Sequence, residues 1–256
     1  MDLTELRMKL DLFEDKSGST TPLLLLCSPH NPVGRVWQQE ELEELGKLCL
    51  ERGITVISDE IHSDFVYEGY DHTAFASISR EFARNSITFG SPSKSFNLAG
   101  LQTAYAIIPD ENLREKFQES RGHLLRQGTI FGLRALKTAY GSCEQWFEEQ
   151  LAVLEHQKNY TIDYFRNRIS GIEPLVPEGT YLIWLDCRGL GMDSEELARF
   201  FVNEARVGMD HGSWFGEGGN GFMRLNIACP KNQLEEALHR IEKAVAKVKQ
   251  PVTQSP

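Results

Sequence analysis

The sequence predicts an α/β fold, a mostly parallel sheet followed by a small α+β C-terminal domain, and three observations carry that expectation. Short apolar or β-branched runs recur at 23–27, 54–58, 86–90 and 103–108. A helical period fills the interval after the first run, with Leu42, Leu45, Leu48 and Cys49 on one face and glutamates on the other. Beyond about residue 168 the order becomes strand, helix, glycine-rich loop, strand, helix, which suits a separate smaller domain.

Taken in order, residues 1–16 read as a helical or mixed edge and 16–22 as a polar turn. Leu23-Leu24-Leu25-Leu26-Cys27 is a continuous apolar run, the pattern of a strand covered on both faces. Two prolines and Gly34 break it at 28–34. The helix at 38–51 ends at Gly53, and the strand at 54–58 stops at Asp59-Glu60. A loop then carries Phe65, Tyr67, Tyr70 and Phe75, suited equally to a core, a dimer edge or substrate contact. Residues 112–168 are largely helical, with breaks near Gly122, Gly128 and Gly141-Ser142.

The later segments are a strand at 180–185, a helix at 194–205, a strand at 222–228 and a last helix at 232–248. The glycines of the loop at 216–221 form a tight turn. They do not match a dinucleotide fingerprint, because a strand follows them where that fingerprint needs a helix. The expected division is a large domain over 1–160, a small domain over 161–250 and a tail at 251–256.

A formal charge of −10 argues against nucleic acid, which wants clustered Lys and Arg. No apolar run approaches the ~20 residues of a membrane span, and residues 1–15 lack the apolar core of a signal peptide. Cysteines 27, 49, 143, 187 and 229 are scattered, without a Cys-x-x-Cys pair, and read as small core residues of a reducing compartment, with no metal site. The expectation is a soluble cytoplasmic protein.

Ligands of open parallel sheets bind beyond the carboxyl ends of the strands. Asn31, Asp59 and Lys94 follow successive strands at intervals of 28 and 35 residues, each close to one βαβ unit. An amide, a carboxylate and an amine thus come to one sheet edge. An amine that condenses with an aldehyde cofactor, with a carboxylate that keeps a pyridine nitrogen protonated, is what pyridoxal 5'-phosphate requires. An amide suits the ring hydroxyl, and Ser91 and Ser93 suit the phosphate.

Asn31-Pro32-Val33-Gly34-Arg35-Val36-Trp37, Asp59-Glu60-Ile61-His62-Ser63-Asp64 and Ser93-Lys94-Ser95-Phe96-Asn97-Leu98-Ala99-Gly100-Leu101 resemble, in this order, class I/II aminotransferases of the aspartate-aminotransferase-like fold. They lean toward the MalY/PatB group of cystathionine β-lyase-like C–S lyases, and the resemblance runs through Arg224-Leu225-Asn226. It implies Lys94 as the Schiff-base lysine, Asp59 as the partner of the pyridinium nitrogen and Asn31 as a cofactor and substrate contact. It places Ser91 and Ser93 at the phosphate, His62 near the ring hydroxyl and Arg224 on the substrate carboxylate. Gln102 stands where many aminotransferases have an arginine for the phosphate.

The implied activity is α,β-elimination of a sulfur amino acid to a thiol, pyruvate and ammonia by a homodimer. Aminotransfer with the same residues is the alternative. The resemblance also implies a long N-terminal part ahead of the first strand, which this chain begins without; a third reading is therefore a truncated, non-catalytic or regulatory family member.

Overall fold

The computed structural model describes residues 1–17, 22–122 and 128–248. Most of the expected turn at 16–22 and all of the expected tail at 251–256 lie outside the described residues. The chain divides into two compact units, Met1–His30 with Val36–Phe147, and Asn31–Arg35 with the chain from Glu148 on. Both this division and the expected one at residue 160 fall within one long helix, Glu144–Arg168.

The first unit opens with helix α1 (Leu3–Ser17) and strand β1 (Leu23–Cys27), followed by α2 (Gln39–Glu51) and β2 (Thr55–Asp59). Short helix α3 (Arg80–Arg84), β3 (Ser86–Gly90), the four-residue helix α4 (Pro92–Ser95) and β4 (Tyr105–Ile107) come next. Helices α5 (Glu111–Arg121), α6 (Ile130–Ser142) and α7 (Glu144–Arg168) follow. The sheet order is β1-β2-β3-β4, parallel except for antiparallel β4. The expected mostly parallel sheet is present.

Alternation sets which side chains reach the core of this unit. Leu26 and Val56 meet Leu42, Leu45 and Cys49 of α2 and the stacked pair Phe75–Phe82, while Leu3, Leu6 and Leu10 of α1 pack against the same cluster. The expectation that β1 is covered on both faces is corrected: Leu23 and Leu25 are 62% and 74% exposed. Among the described residues β1 stands at the edge of the sheet, and helix α2 packs on the face that holds Leu26. Of the loop aromatics, Phe65, Tyr67 and Phe75 are buried and Tyr70 is exposed.

The second unit takes up most of α7, then β5 (Glu173–Pro174), β6 (Leu182–Asp186), α8 (Ser194–Arg199), β7 (Asp210–His211), β8 (Phe222–Asn226) and α9 (Lys231–Val248). The expected helix at 194–205 is α-helical only to Arg199 and continues as a π-turn over Phe200–Ala205. The antiparallel sheet has the order β5-β6-β8-β7. Its inner face sends Ile183, Leu185, Met223 and Leu225 against Phe165 of α7 and Leu234, Leu238 and Ile241 of α9. Tyr164 also donates a hydrogen bond to Glu242, tying α7 to α9.

The glycine loop is a tight turn, as expected. Gly212 and Gly219 lie backbone to backbone, so that a Cβ on Gly212 would sit 2.1 Å from the Gly219 carbonyl oxygen. No helix among the described residues is long and apolar enough to cross a membrane.

Candidate active site

In the first unit the carboxyl ends of three strands share one row, Cys27 beside Asp59 and Asp59 beside Phe89. Asp59 is the last residue of β2 and half-buried, and its carboxylate accepts the Ile61 N–H at 3.3 Å. Neighbouring Glu60 points the other way and is buried, accepting from the Ser58 hydroxyl (2.8 Å) and the Phe75 N–H (3.0 Å), with His72 Nε2 at 3.2 Å. The adjacent carboxylates therefore divide their work. Glu60 pins the following loop to the sheet, while Asp59 keeps acceptor capacity to spare.

Beyond β3 the chain turns into α4 because Ser91 caps it and Pro92 takes the first helical position. The Ser91 hydroxyl accepts the Ser93 N–H (3.1 Å) and donates to the Thr103 carbonyl (2.7 Å), so it is engaged in holding the turn. The Ser93 hydroxyl lies 3.5 Å from the same carbonyl, a weak bond that leaves it able to turn to an anion. Lys94 is exposed, and among the described residues no hydrogen bond or ion pair engages its amine. Next to it, buried Ser95 donates to the Asp64 carboxylate. Burial, and then the charge of Asp64, push the Tyr140 hydroxyl far above the usual tyrosine range, so Tyr140 stays neutral beside Tyr105 and Ser95.

His62 is 1% exposed, its ring centroid 6.1 Å from that of Phe65. Gln102, after the short turn Ala99–Leu101, adopts a left-handed conformation with φ 48°.

In the second unit the segment Asn31–Arg35 is tied down by the chain at 177–179. The Glu178 and Gly179 N–H groups both donate to the Gly34 carbonyl (2.8 and 3.0 Å), and Arg35 pairs with Glu178 at 2.6 Å. Gly34 has φ +78°, and a Cβ there would stand 2.5 Å from the Pro177 Cβ. Gly34→Ala should cost at least about 1–2 kcal/mol from the left-handed backbone alone, with the contact added. A denaturant midpoint equal to the wild type would contradict this.

Period-two alternation along β8 buries Met223 and Leu225 and turns Arg224 to the other face of the sheet. Arg224 stands directly across from Asp210 on one side and Trp184 on the other. Its Nε (3.1 Å) and Nη2 donate to Oδ2 of Asp210, and its Nη1 donates to Oδ1 of Asn31 at 2.6 Å. The guanidinium carbon lies 4.9 Å from the centroid of the Phe215 ring. The structure thus joins the two expected substrate-contact residues, Asn31 and Arg224. Asp210 is the addition sequence reasoning missed: it lies 14 residues before Arg224, and only the pairing of β7 with β8 brings it alongside.

The first-unit residues fit an aldehyde cofactor. Among the described residues the Lys94 amine has no partner, the strand-end Asp59 carboxylate has one backbone donor and the Ser93 hydroxyl can reorient, and these are the groups that such a ligand uses. A parallel sheet whose carboxyl ends carry Asp59 and lead to Lys94, joined in sequence to an antiparallel unit presenting Arg224, is the architecture of the pyridoxal-phosphate-dependent aminotransferase fold.

The comparisons place the chain within that class. It belongs to the class I and II aminotransferase family, whose model matches residues 2–241. It is 40% identical over 240 residues to the cystathionine beta-lyase PatB of Bacillus subtilis, an alignment covering 92% of this chain and 61% of the relative. It is 34% identical to the protein MalY of Escherichia coli over 89% of this chain and 58% of that one. Among solved structures, cystalysin from Treponema denticola, which contains a pyridoxal 5'-phosphate cofactor, superposes with a TM-score of 0.89 at 37% identity, covering 94% of this chain and 61% of cystalysin. The chain therefore spans about three fifths of the length of the relatives it matches.

Proposed function

We propose that this chain serves a pyridoxal-phosphate-dependent C–S β-lyase reaction, in which a sulfur amino acid yields a thiol, pyruvate and ammonia in a homodimer. The observation that carries the reading is the Lys94 amine, exposed and without a partner among the described residues, in the short helix that follows a parallel strand, in a chain 40% identical to a cystathionine beta-lyase. Pyridoxal phosphate, when bound, supplies a sink for the electron pair left as a substrate Cα–H bond breaks.

The chain's own residues would then do the following. Lys94 attaches the cofactor and, once released, takes the proton from the substrate Cα. Asp59 holds the proton on the pyridine nitrogen. Asn31, whose carboxamide oxygen accepts from Arg224, would donate an amide N–H to the ring hydroxyl, to which His62 is also assigned. Ser93 turns its hydroxyl to the phosphate, and Ser91 fixes the turn that presents it. Arg224 binds the α-carboxylate as a planar donor. As the Cβ–S bond breaks, the pair left by the Cα–H bond forms the Cα=Cβ bond, and the sulfur departs with its own bonding pair and takes up the proton that Lys94 carries, giving the thiol. The remaining unsaturated amino acid hydrolyses to pyruvate and ammonia.

Aminotransfer is the second reading, favoured by the family description and by 28% identity to an aromatic-amino-acid aminotransferase of Thermococcus litoralis. Incubating the full-length, cofactor-loaded protein with L-cystathionine and no 2-oxo acid separates the two. Stoichiometric thiol and pyruvate are expected. Turnover only after a 2-oxo acid is added would replace elimination by aminotransfer.

A further inference from the structure

The Arg224 guanidinium has a carboxylate on it before any substrate arrives. Asp210 takes the Nε–Nη2 edge, the side on which a guanidinium binds a carboxylate through two parallel N–H groups, and Asn31 takes Nη1. Three of the five N–H donors that a guanidinium carries are thereby used, and Phe215 lies against the group 4.9 Å away. Arg224 retains 18% side-chain exposure, whereas Asp210 retains 39%. Asp210 sits on a two-residue edge strand, and its side chain has solvent to turn into.

We propose that Asp210 is a resident competitor for the substrate carboxylate: it occupies the Arg224 fork in the free protein, the incoming carboxylate displaces it, and it thereby sets the affinity for amino-acid substrates. The proposal rests on Arg224 being the carboxylate grip. Two carboxylates on one guanidinium repel each other, so substrate entry and Asp210 contact are mutually opposed. The apparent affinity falls by the fraction of molecules whose fork is open, and a fork closed about nine times in ten weakens binding roughly tenfold. The fork is also kept charge-compensated and oriented while empty, because a half-buried arginine without a counter-ion is costly.

The test uses the full-length, cofactor-loaded protein with two probes, L-cystathionine as substrate and propionate as a non-reacting monocarboxylate that competes with it. Asp210→Asn, and Asp210→Ser as a second variant should the first fold poorly, should lower both the KM for cystathionine and the inhibition constant of propionate about threefold to tenfold. Arg224→Lys should raise both by tenfold or more. If the Asp210 variants raise these constants or leave them unchanged while Arg224→Lys raises them, Asp210 merely positions the arginine and the competitor role is wrong, with the grip intact. If Arg224→Lys moves neither constant, the grip itself is wrong and the competitor role falls with it.

Discussion

Lys94→Ala is expected to abolish covalent attachment of the cofactor and to lower the elimination rate by about 10²–10⁴-fold, the usual share of a positioned proton-transfer group. The melting temperature of the cofactor-free protein should hardly move. Lys94 is exposed, and among the described residues no side chain depends on its amine, so truncation falls in the class of surface changes within about 0.5 kcal/mol. Loss of function without loss of fold distinguishes a chemical lysine from a structural one. Reduction of the wild type with borohydride, followed by proteolysis, should find the added cofactor mass on the peptide that holds Lys94. Modification of another lysine, or an undiminished rate in Lys94→Ala, would remove the assignment on which the proposed reaction stands.

Glu60→Ala should behave in the opposite sense, with a large loss of stability. Glu60 is buried and serves the Ser58 hydroxyl, the Phe75 N–H and the His72 ring together. Truncation leaves those buried groups without their acceptor, and at about 1–3 kcal/mol for each polar group left unsatisfied the loss should be about 3–5 kcal/mol. At roughly 2–4 °C per kcal/mol for a domain of this size, the melting temperature should fall by about 6–20 °C. A fall of less than two or three degrees would show that water replaces the carboxylate. Asp59, one residue earlier, makes a single described hydrogen bond and should cost far less when changed to Asn. The two neighbours are chemically alike and differ in which face of the strand they occupy.

That difference shows what kind of information the sequence carries. The apolar runs announced the strands β1, β2, β3, β6 and β8, because a buried strand must be apolar whatever its neighbours are. Lys94 and its flanking serines are legible because they stand together just after a strand, whereas the Ser91 cap and the short helix it opens come from the structure. A run of leucines reports its own apolarity and says nothing about whether a second layer packs on it; among the described residues Leu23 and Leu25 of β1 face outward. The two-residue strand β7 was too short to leave a pattern.

The identities and order of the chemical groups can be read from the chain alone: Asn31, Asp59 and Lys94 after successive strands, and Arg224 on a strand near the end. Local chemistry suffices for that, since each residue follows a recognisable strand or turn. Tertiary structure alone decided their partners. It set Asp210 across from Arg224, bound Asn31 to the same guanidinium and separated the roles of Asp59 and Glu60. Those outcomes depend on strand register and on contacts between residues as many as 193 positions apart. A residue's type fixes what it can bind, and the fold decides what it meets.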